Sequence, residues 1–403
     1  MEISYGRVVR LPNVLALLAA TCLTRLAGRM FAVVIVFHTL AAFGSPSLAG
    51  WVSFAAMVPG LIVSPLAGAF LDRAGAARGI VADLAISTAL TLVLAAAIVL
   101  GCAAAPVLLL LVATYALTTP LSTAGIRTLL PRIVPVSALA RANGLDTAIH
   151  AIVNVVGPVA GGALIGFGGA VLAFVTIAVI YAAATVCVWF VRGIANPEPA
   201  SQDFFRQALD GLRFVLFRPL LRGLAVGYAL NLVTWGILVV AVPVIAAQYF
   251  APGIWEPVSG LLWAGSGVCG GIGALAAGQS HIRGREVRVM TMSMTATAIT
   301  IWPVAASFGL TGLALGLALA GFLAGAIDVA VLTLRQRRTD PAQLGRVLAV
   351  SISANTSGFP IGTALGGMLV AWSPPSALLA AALASLLAAL TTRTLIPAED
   401  AVP

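Results

Sequence analysis

The sequence predicts an all-α integral membrane protein: twelve transmembrane helices in two six-helix pseudo-repeats, with N- and C-termini cytosolic. Three observations carry this expectation. Of 403 residues, 61% are hydrophobic and 9% charged, with a mean hydropathy of +1.08. A soluble domain carries about 25% charged residues, so this chain could not cover a globular surface with polar groups. Apolar runs of the ~20 residues that a bilayer demands follow one another along the chain. The basic residues, finally, sit in alternate connections only.

The runs are 13–41, 47–71, 79–101, 104–126, 143–167, 170–191, 221–249, 256–280, 288–306, 310–333, 344–372 and 375–396, numbered here spans 1 to 12. Span 1 follows Arg7 and Arg10 and so resembles a signal peptide. It is too long for the apolar region of one, and Arg25 and Arg29 interrupt it, so it reads as a helix that stays. With the N-terminus inside, the N-terminal segment holds Arg7 and Arg10, and loop 2–3 holds Arg73 and Arg78. Loop 4–5 holds Arg127, Arg132 and Arg141. The centre with its flanks holds Arg192, Arg206, Arg213, Arg218 and Arg222. Loop 8–9 holds Arg283, Arg285 and Arg288, and loop 10–11 holds Arg335, Arg337, Arg338 and Arg346. The C-terminal segment holds Arg393. The outer loops carry no Arg, and their only charge is Glu256. Such a distribution follows the positive-inside rule throughout. The net charge of +9 then reflects topology and contact with anionic lipid headgroups, and no nucleic-acid partner is expected.

The same composition excludes several chemistries. All 22 basic residues are Arg, so neither a P-loop lysine nor a Schiff-base lysine is available, and no nucleotide partner is expected. Cys22, Cys102, Cys187 and Cys269 stand apart in apolar surroundings, with neither metal-ligand spacing nor a disulfide framework. The chain has no HExxH, Gly-x-Ser-x-Gly or short-spaced carboxylate pair, so it is not expected to be an enzyme.

The polar stretch 193–220, with Asn196-Pro-Glu-Pro199 and the amphipathic Phe204–Val215, separates two bundles, 1–192 and 221–403. Each holds six spans, and the halves echo one another. Pro135-Val-Ser-Ala-Leu-Ala-Arg141 corresponds to Pro341-Ala-Gln-Leu-Gly-Arg346, and Pro158-Val-Ala-Gly-Gly-Ala-Leu164 to Pro360-Ile-Gly-Thr-Ala-Leu365. Arg10-Leu-Pro12 corresponds to Arg218-Pro219. A duplication of six spans is a transporter architecture, with its substrate site near mid-membrane at the interface of the repeats.

Over nearly its whole length the chain resembles the major facilitator superfamily. Loop 2–3 reads Gly68-Ala-Phe-Leu-Asp72-Arg73-Ala-Gly75, which matches that family's Gly-x-x-x-Asp-Arg-x-Gly signature. The following basic positions are Ala76 and Ala77, with Arg78 one place late. Span 5 carries Gly144, Gly157, Pro158, Gly161 and Gly162, similar to the antiporter-type motif of drug exporters, with Val153 where a further Gly is expected. The segments Gly211–Arg222 and Leu129–Asn143 resemble the macrolide-efflux and enterobactin-exporter branch of drug:proton antiporters. The resemblance implies efflux of a small amphipathic molecule by alternating access in a bacterial-type plasma (inner) membrane. It implies a proton gradient and no cofactor, a monomer among lipids, and a cavity lined by spans 1, 4, 7 and 10. Import or facilitated passage of a small solute is the alternative.

The site candidates follow from charge inside the spans. Arg25 and Arg29 lie one turn apart about a dozen residues into span 1, near mid-bilayer at ~1.5 Å per residue. Each would cost at least ~2.5–3.5 kcal/mol there without a partner or an aqueous cavity. Asp328 in span 10 is the expected carboxylate, either to pair with one of them or to carry a proton. A cavity holding both Arg and a protonated Asp328 would be net positive and favour an anionic substrate. Asp146, His150 and Asn154 fall on one face of span 5, leading up to Gly157, and could relay a proton, since His titrates near neutral pH. Asn231 and Asn355 are further polar candidates. In loop 2–3, Asp72 is expected to make a contact that exists only when the cytosolic side is closed, and Asp83 to partner Arg73 or Arg78.

Overall fold

The computed structural model describes residues 5–191, 217–280, 284–338 and 355–397. Regular structure among them is helical throughout. The short α1 (Tyr5–Val9) precedes α2 (Val14–Phe43), α3 (Pro46–Ala55), α4 (Val58–Ala74), α5 (Ala76–Val99), α6 (Ala105–Ile133) and α7 (Val136–Trp189). The second half holds α8 (Pro219–Tyr249), α9 (Trp255–Gln279), α10 (Glu286–Ile299), a π turn (Thr300–Val304), α11 (Ala305–Ser307), α12 (Gly309–Arg337), α13 (Gly358–Trp372) and α14 (Pro374–Leu395).

These elements account for twelve spans. Proline opens α4, α6, α8 and α14, where its missing N–H costs no helical bond. The 54-residue α7 is two spans: Gly169 at φ 74°, ψ 174° turns the chain between its two legs, a conformation open only to glycine. Span 2 is broken into α3 and α4 at Ala56–Met57, and Pro59 falls in the first turn of α4, where its missing N–H costs no helical bond. In span 9 the π turn forms around Pro303, which has no N–H for the helical ladder. Only the 355–372 part of span 11 is described, with α13 beginning at Gly358. The expected central loop lies almost wholly outside the described residues, as do the Pro341–Arg346 repeat element, the first half of Gly211–Arg222 and His281. Ten of the helices are long and apolar enough to cross a membrane, with α7 counted once and α13 shorter.

Outward-facing side chains confirm the solvent. Ile62, Phe167 and Trp372 are 72%, 84% and 82% exposed, an arrangement favourable in lipid and not in water. Phe167, Trp189, Phe190, Phe308 and Trp372 cluster at span ends, where aromatic rings anchor to the interface.

The chain forms two compact units. One comprises Met1–His38 with Ala55–Phe204, the other Thr39–Phe54 with Phe205–Pro403. In the first, Phe31 stacks on Tyr115 at 4.1 Å and meets Phe174 edge-on, among fully buried Ile80, Leu84, Leu94, Leu108 and Ile177. In the second, α13 lies directly on α8. Gly358, Gly362 and Gly366 recur every four residues and face the backbone of Ala229, Val233 and Ile237, while Gly236 of α8 faces Phe359 and Gly362 in return. A side chain at any of these would strike main chain, which cannot move aside, so close approach depends on glycine. Gly50 of α3 meets Gly367 on another face of α13 in the same way. The second unit is closed at one end by Glu286, 1% exposed, whose carboxylate lies 3.1 Å from Nε of Arg337.

Candidate functional site

The loop 2–3 motif is a turn built on Gly75, at φ 89° between α4 and α5. Its N–H donates to the Leu71 carbonyl at 2.9 Å, and its own carbonyl accepts from the Gly79 N–H at 3.1 Å. Arg73 and Arg78 are exposed. The surroundings of Gly68 and the side chain of Asp72 lie outside the described residues. The expectation for Asp83 is corrected. It is 2% exposed and its carboxylate is surrounded by the hydroxyls of Thr118 and Ser122 on α6 and of Ser87 one turn along α5, with no ion pair among the described residues. The reason is helical phase. Five residues separate it from Arg78, which at 3.6 residues per turn sets the two roughly 140° apart around α5.

A charged cluster forms inside the first unit, where the first leg of α7 lies along α2. Nη1 of Arg25 lies 2.9 Å from Oδ1 of Asp146, and Nη2 donates to Oδ2 at 3.0 Å. Nη1 also donates to the Asp146 carbonyl at 3.0 Å. The guanidinium fork therefore grips both the side chain and the main chain of one residue, a geometry that lysine could not reproduce. The partner of Arg25 is thus Asp146, 121 residues away in sequence, and the expectation that Asp328 fills that place is corrected.

Arg29 lies one turn further along α2. It is solvent-exposed and has no hydrogen-bond or ion-pair partner among the described residues. The antiporter-type motif supplies the surface beside it. A Cβ at Gly157 would lie 2.6 Å from Cβ of Arg29, and one at Gly161 would lie 3.3 Å from the Met30 carbonyl oxygen. Pro158 sits between them inside the helix, Gly162 is buried and Gly144 is exposed. His150 is exposed, and the charges acting on it are Arg29, Arg25, Asp146 and Arg127. Asn154 follows one turn later, its Oδ1 buried and without a hydrogen-bond partner among the described residues. Two buried tyrosines extend the polar interior: the hydroxyls of Tyr115 and Tyr181 are hydrogen-bonded, with Gly28 of α2 3.5 Å below Tyr181 Oη by the same Cβ measure.

The close approach at Gly157 makes a specific prediction. Gly157→Leu forces α7 off α2 beside Arg29, an overpacking that costs ~1–3 kcal/mol. Its thermal unfolding in detergent should come several degrees below that of the parent, with Gly157→Ala intermediate; unfolding at the parent temperature would refute the packing.

In the second unit, Asp328 of α12 accepts a hydrogen bond from the Tyr228 hydroxyl of α8 at 2.5 Å. Asp328 is solvent-exposed, and Arg335, two turns along α12, is 3% exposed and acts electrostatically on Tyr228. Asn231, three residues beyond Tyr228, is 2% exposed, and its Oδ1 has no hydrogen-bond partner among the described residues. Asn355 is also buried.

The structure therefore brings Arg25, Arg29, Asp146, His150 and Asn154 together, and it sets Asp328 and Asn231 around Tyr228. Sequence reasoning missed Arg127, Tyr228 and the tyrosine pair. Arg127 falls at the predicted end of span 4, whereas α6 runs on to Ile133. A tyrosine on the same span face as Asn231 was the available signal for Tyr228. Among the described residues no group of three His, Cys, Asp or Glu could hold a metal ion.

Apolar helices of bilayer length in two six-span halves, with charged groups gathered inside each unit, define a multi-pass membrane transporter. The chain belongs to the major facilitator superfamily, whose family model matches residues 17–281. It is 47% identical over 402 residues to y4rN of Sinorhizobium fredii, an uncharacterised MFS-type transporter, covering 100% of this chain and 99% of that one. It is 27% identical over 257 residues to the enterobactin exporter EntS of Shigella boydii, covering 61% of this chain and 58% of the exporter. Among solved structures, a nucleoside transporter NupG variant superposes with a TM-score of 0.75 at 13% identity, covering 96% of this chain and all of that one. A D-xylose–proton symporter superposes at 0.70 and 15% identity, covering 98% of each chain. At such identities these two likenesses concern the fold.

Proposed function

We propose that the protein is a secondary active exporter that drives a small amphipathic molecule (a drug, siderophore or secondary metabolite) out of the cell against inward proton movement. It works by alternating access as a monomer in a bacterial-type inner membrane, with both termini cytosolic and no cofactor. The observation that carries this reading is the seating of the antiporter-type glycines, Gly157 and Gly161, directly against the arginine-bearing helix at Arg29 and Met30. Motion of span 5 is thereby tied to the charged cluster. The similarity to an enterobactin exporter supports the outward direction. Asp328, exposed and, among the described residues, bonded to the neutral Tyr228 hydroxyl, is suited to take up and release a proton. In the loop motif, Asp72 and Arg73 serve as the state-specific contact at the cytosolic ends of α4 and α5. The fold neighbours, which include a proton symporter, are why import is the competing reading.

The test is an accumulation and susceptibility screen of a compound panel in cells with and without the protein, repeated with a protonophore. The expected result is lower accumulation of a subset of compounds, abolished by the protonophore. Asp72→Asn should weaken this effect at unchanged protein level. Compounds that accumulate more when the protein is present would establish import instead.

A further inference from the structure

We propose that Arg29, with His150 and Asn154 beside it, is the docking point for a carboxylate group on the transported molecule. This inference rests on the exporter reading and names its substrate class. The deep arginines of the first unit are unequal. Arg25 is fully engaged by Asp146, whereas Arg29, one turn away in the same apolar helix, has neither a hydrogen bond nor an ion pair among the described residues. A guanidinium at that depth is costly, and such residues mark functional positions. The residue lies at the surface of the helices and is not sealed in the core, so a solute can reach it.

The surrounding charge selects the sign of that solute. Among the described residues, the charges acting on His150 are three arginines, Arg25, Arg29 and Arg127, against one carboxylate, Asp146. With Asp146 already spent on Arg25, the local field is positive whether or not His150 is protonated. A low-dielectric positive site favours an anion and repels a fixed cation. The planar fork of a free guanidinium matches the two oxygens of a carboxylate. Asn154 adds a buried amide oxygen with no partner among the described residues, placed along α7 between His150 and the Gly157 contact with Arg29, where it can accept from a donor on the same ligand. The absence of a side chain at Gly157 keeps α7 close enough for groups on both helices to reach one ligand.

The test uses the purified full chain in lipid nanodiscs and three probes with one aromatic body: 2-naphthoate, the neutral 2-naphthamide, and 2-naphthyltrimethylammonium. Binding is read by ligand-induced thermal shift and by titration. Naphthoate should bind about tenfold or more tighter than the amide, as a charge-assisted hydrogen bond allows, and the ammonium should not bind. Arg29→Ala should reduce naphthoate to the level of the amide, and Arg29→Lys should restore part of the difference while showing that the site still folds. Equal binding of the amide or ammonium, naphthoate binding unchanged in Arg29→Ala, or no binding of any probe would each overturn the proposal. Charge-selective binding without gradient-driven transport would instead sink the exporter reading and leave this site standing.

Discussion

Asp146→Ala is expected to destabilise the protein strongly, because it leaves the Arg25 guanidinium stranded within the helices. Removing one member of a buried ion pair costs ~3–5 kcal/mol. The two side chains here keep 22% and 26% exposure, so solvent screening sets the expectation at the low end of that range. The carbonyl of residue 146 still accepts from Arg25 in the variant, which also softens the loss. Arg25→Ala strands the carboxylate and should be similarly damaging. The double variant Arg25→Ala/Asp146→Ala removes both charges and should recover much of the stability, giving a coupling energy of opposite sign to the single losses. Thermal unfolding of the four proteins in one detergent measures this. Single losses that simply add in the double variant would show that the contact has no energetic weight.

Asp328→Asn should leave binding intact and abolish gradient-driven accumulation. The amide keeps the shape of the carboxyl group, and its oxygen can still accept from Tyr228, so folding and the second unit's packing should survive. What it cannot do is exchange a proton. One proton exchanged for one substrate across one pH unit supports about tenfold accumulation, since a unit of pH corresponds to 1.36 kcal/mol. The variant should fall to the ratio of about 1 expected without a gradient, again by the same equivalence. Should it retain full accumulation, the coupling proton would move to the Asp146–His150 face of α7.

Much of this architecture could be read from residue pattern, because the membrane imposes it: apolar runs of fixed length and arginines confined to alternate loops leave few arrangements. Even the boundary between spans 5 and 6 was visible, at Gly168-Gly169, where the turn occurs. The charged cluster was only half visible. That Arg25 and Arg29 needed a partner followed from their depth, but a partner 121 residues away leaves no periodic trace. Asp328 was chosen as the deep acid of the expected cavity, whereas Asp146 lay on the helix whose glycines meet α2. The misdirection of Asp83 was avoidable, since its angular distance from Arg78 is fixed by helical geometry. The four-residue spacing of Gly358, Gly362 and Gly366 is plain in the sequence, but which helix it meets is a tertiary fact. Tyr228 reads as ordinary span filler until its hydroxyl is seen on Asp328.

Proton-coupled export is tested most directly in vesicles containing the purified protein, with an imposed pH gradient and a pH-sensitive dye enclosed. A substrate from the compound screen is added, and substrate and proton movements are followed together. Substrate should move only with the gradient imposed, protons should move in the opposite direction only when substrate is present, and Asp328→Asn should lose both. Transport by the parent with no accompanying proton movement, or proton and substrate moving in the same direction, would contradict it.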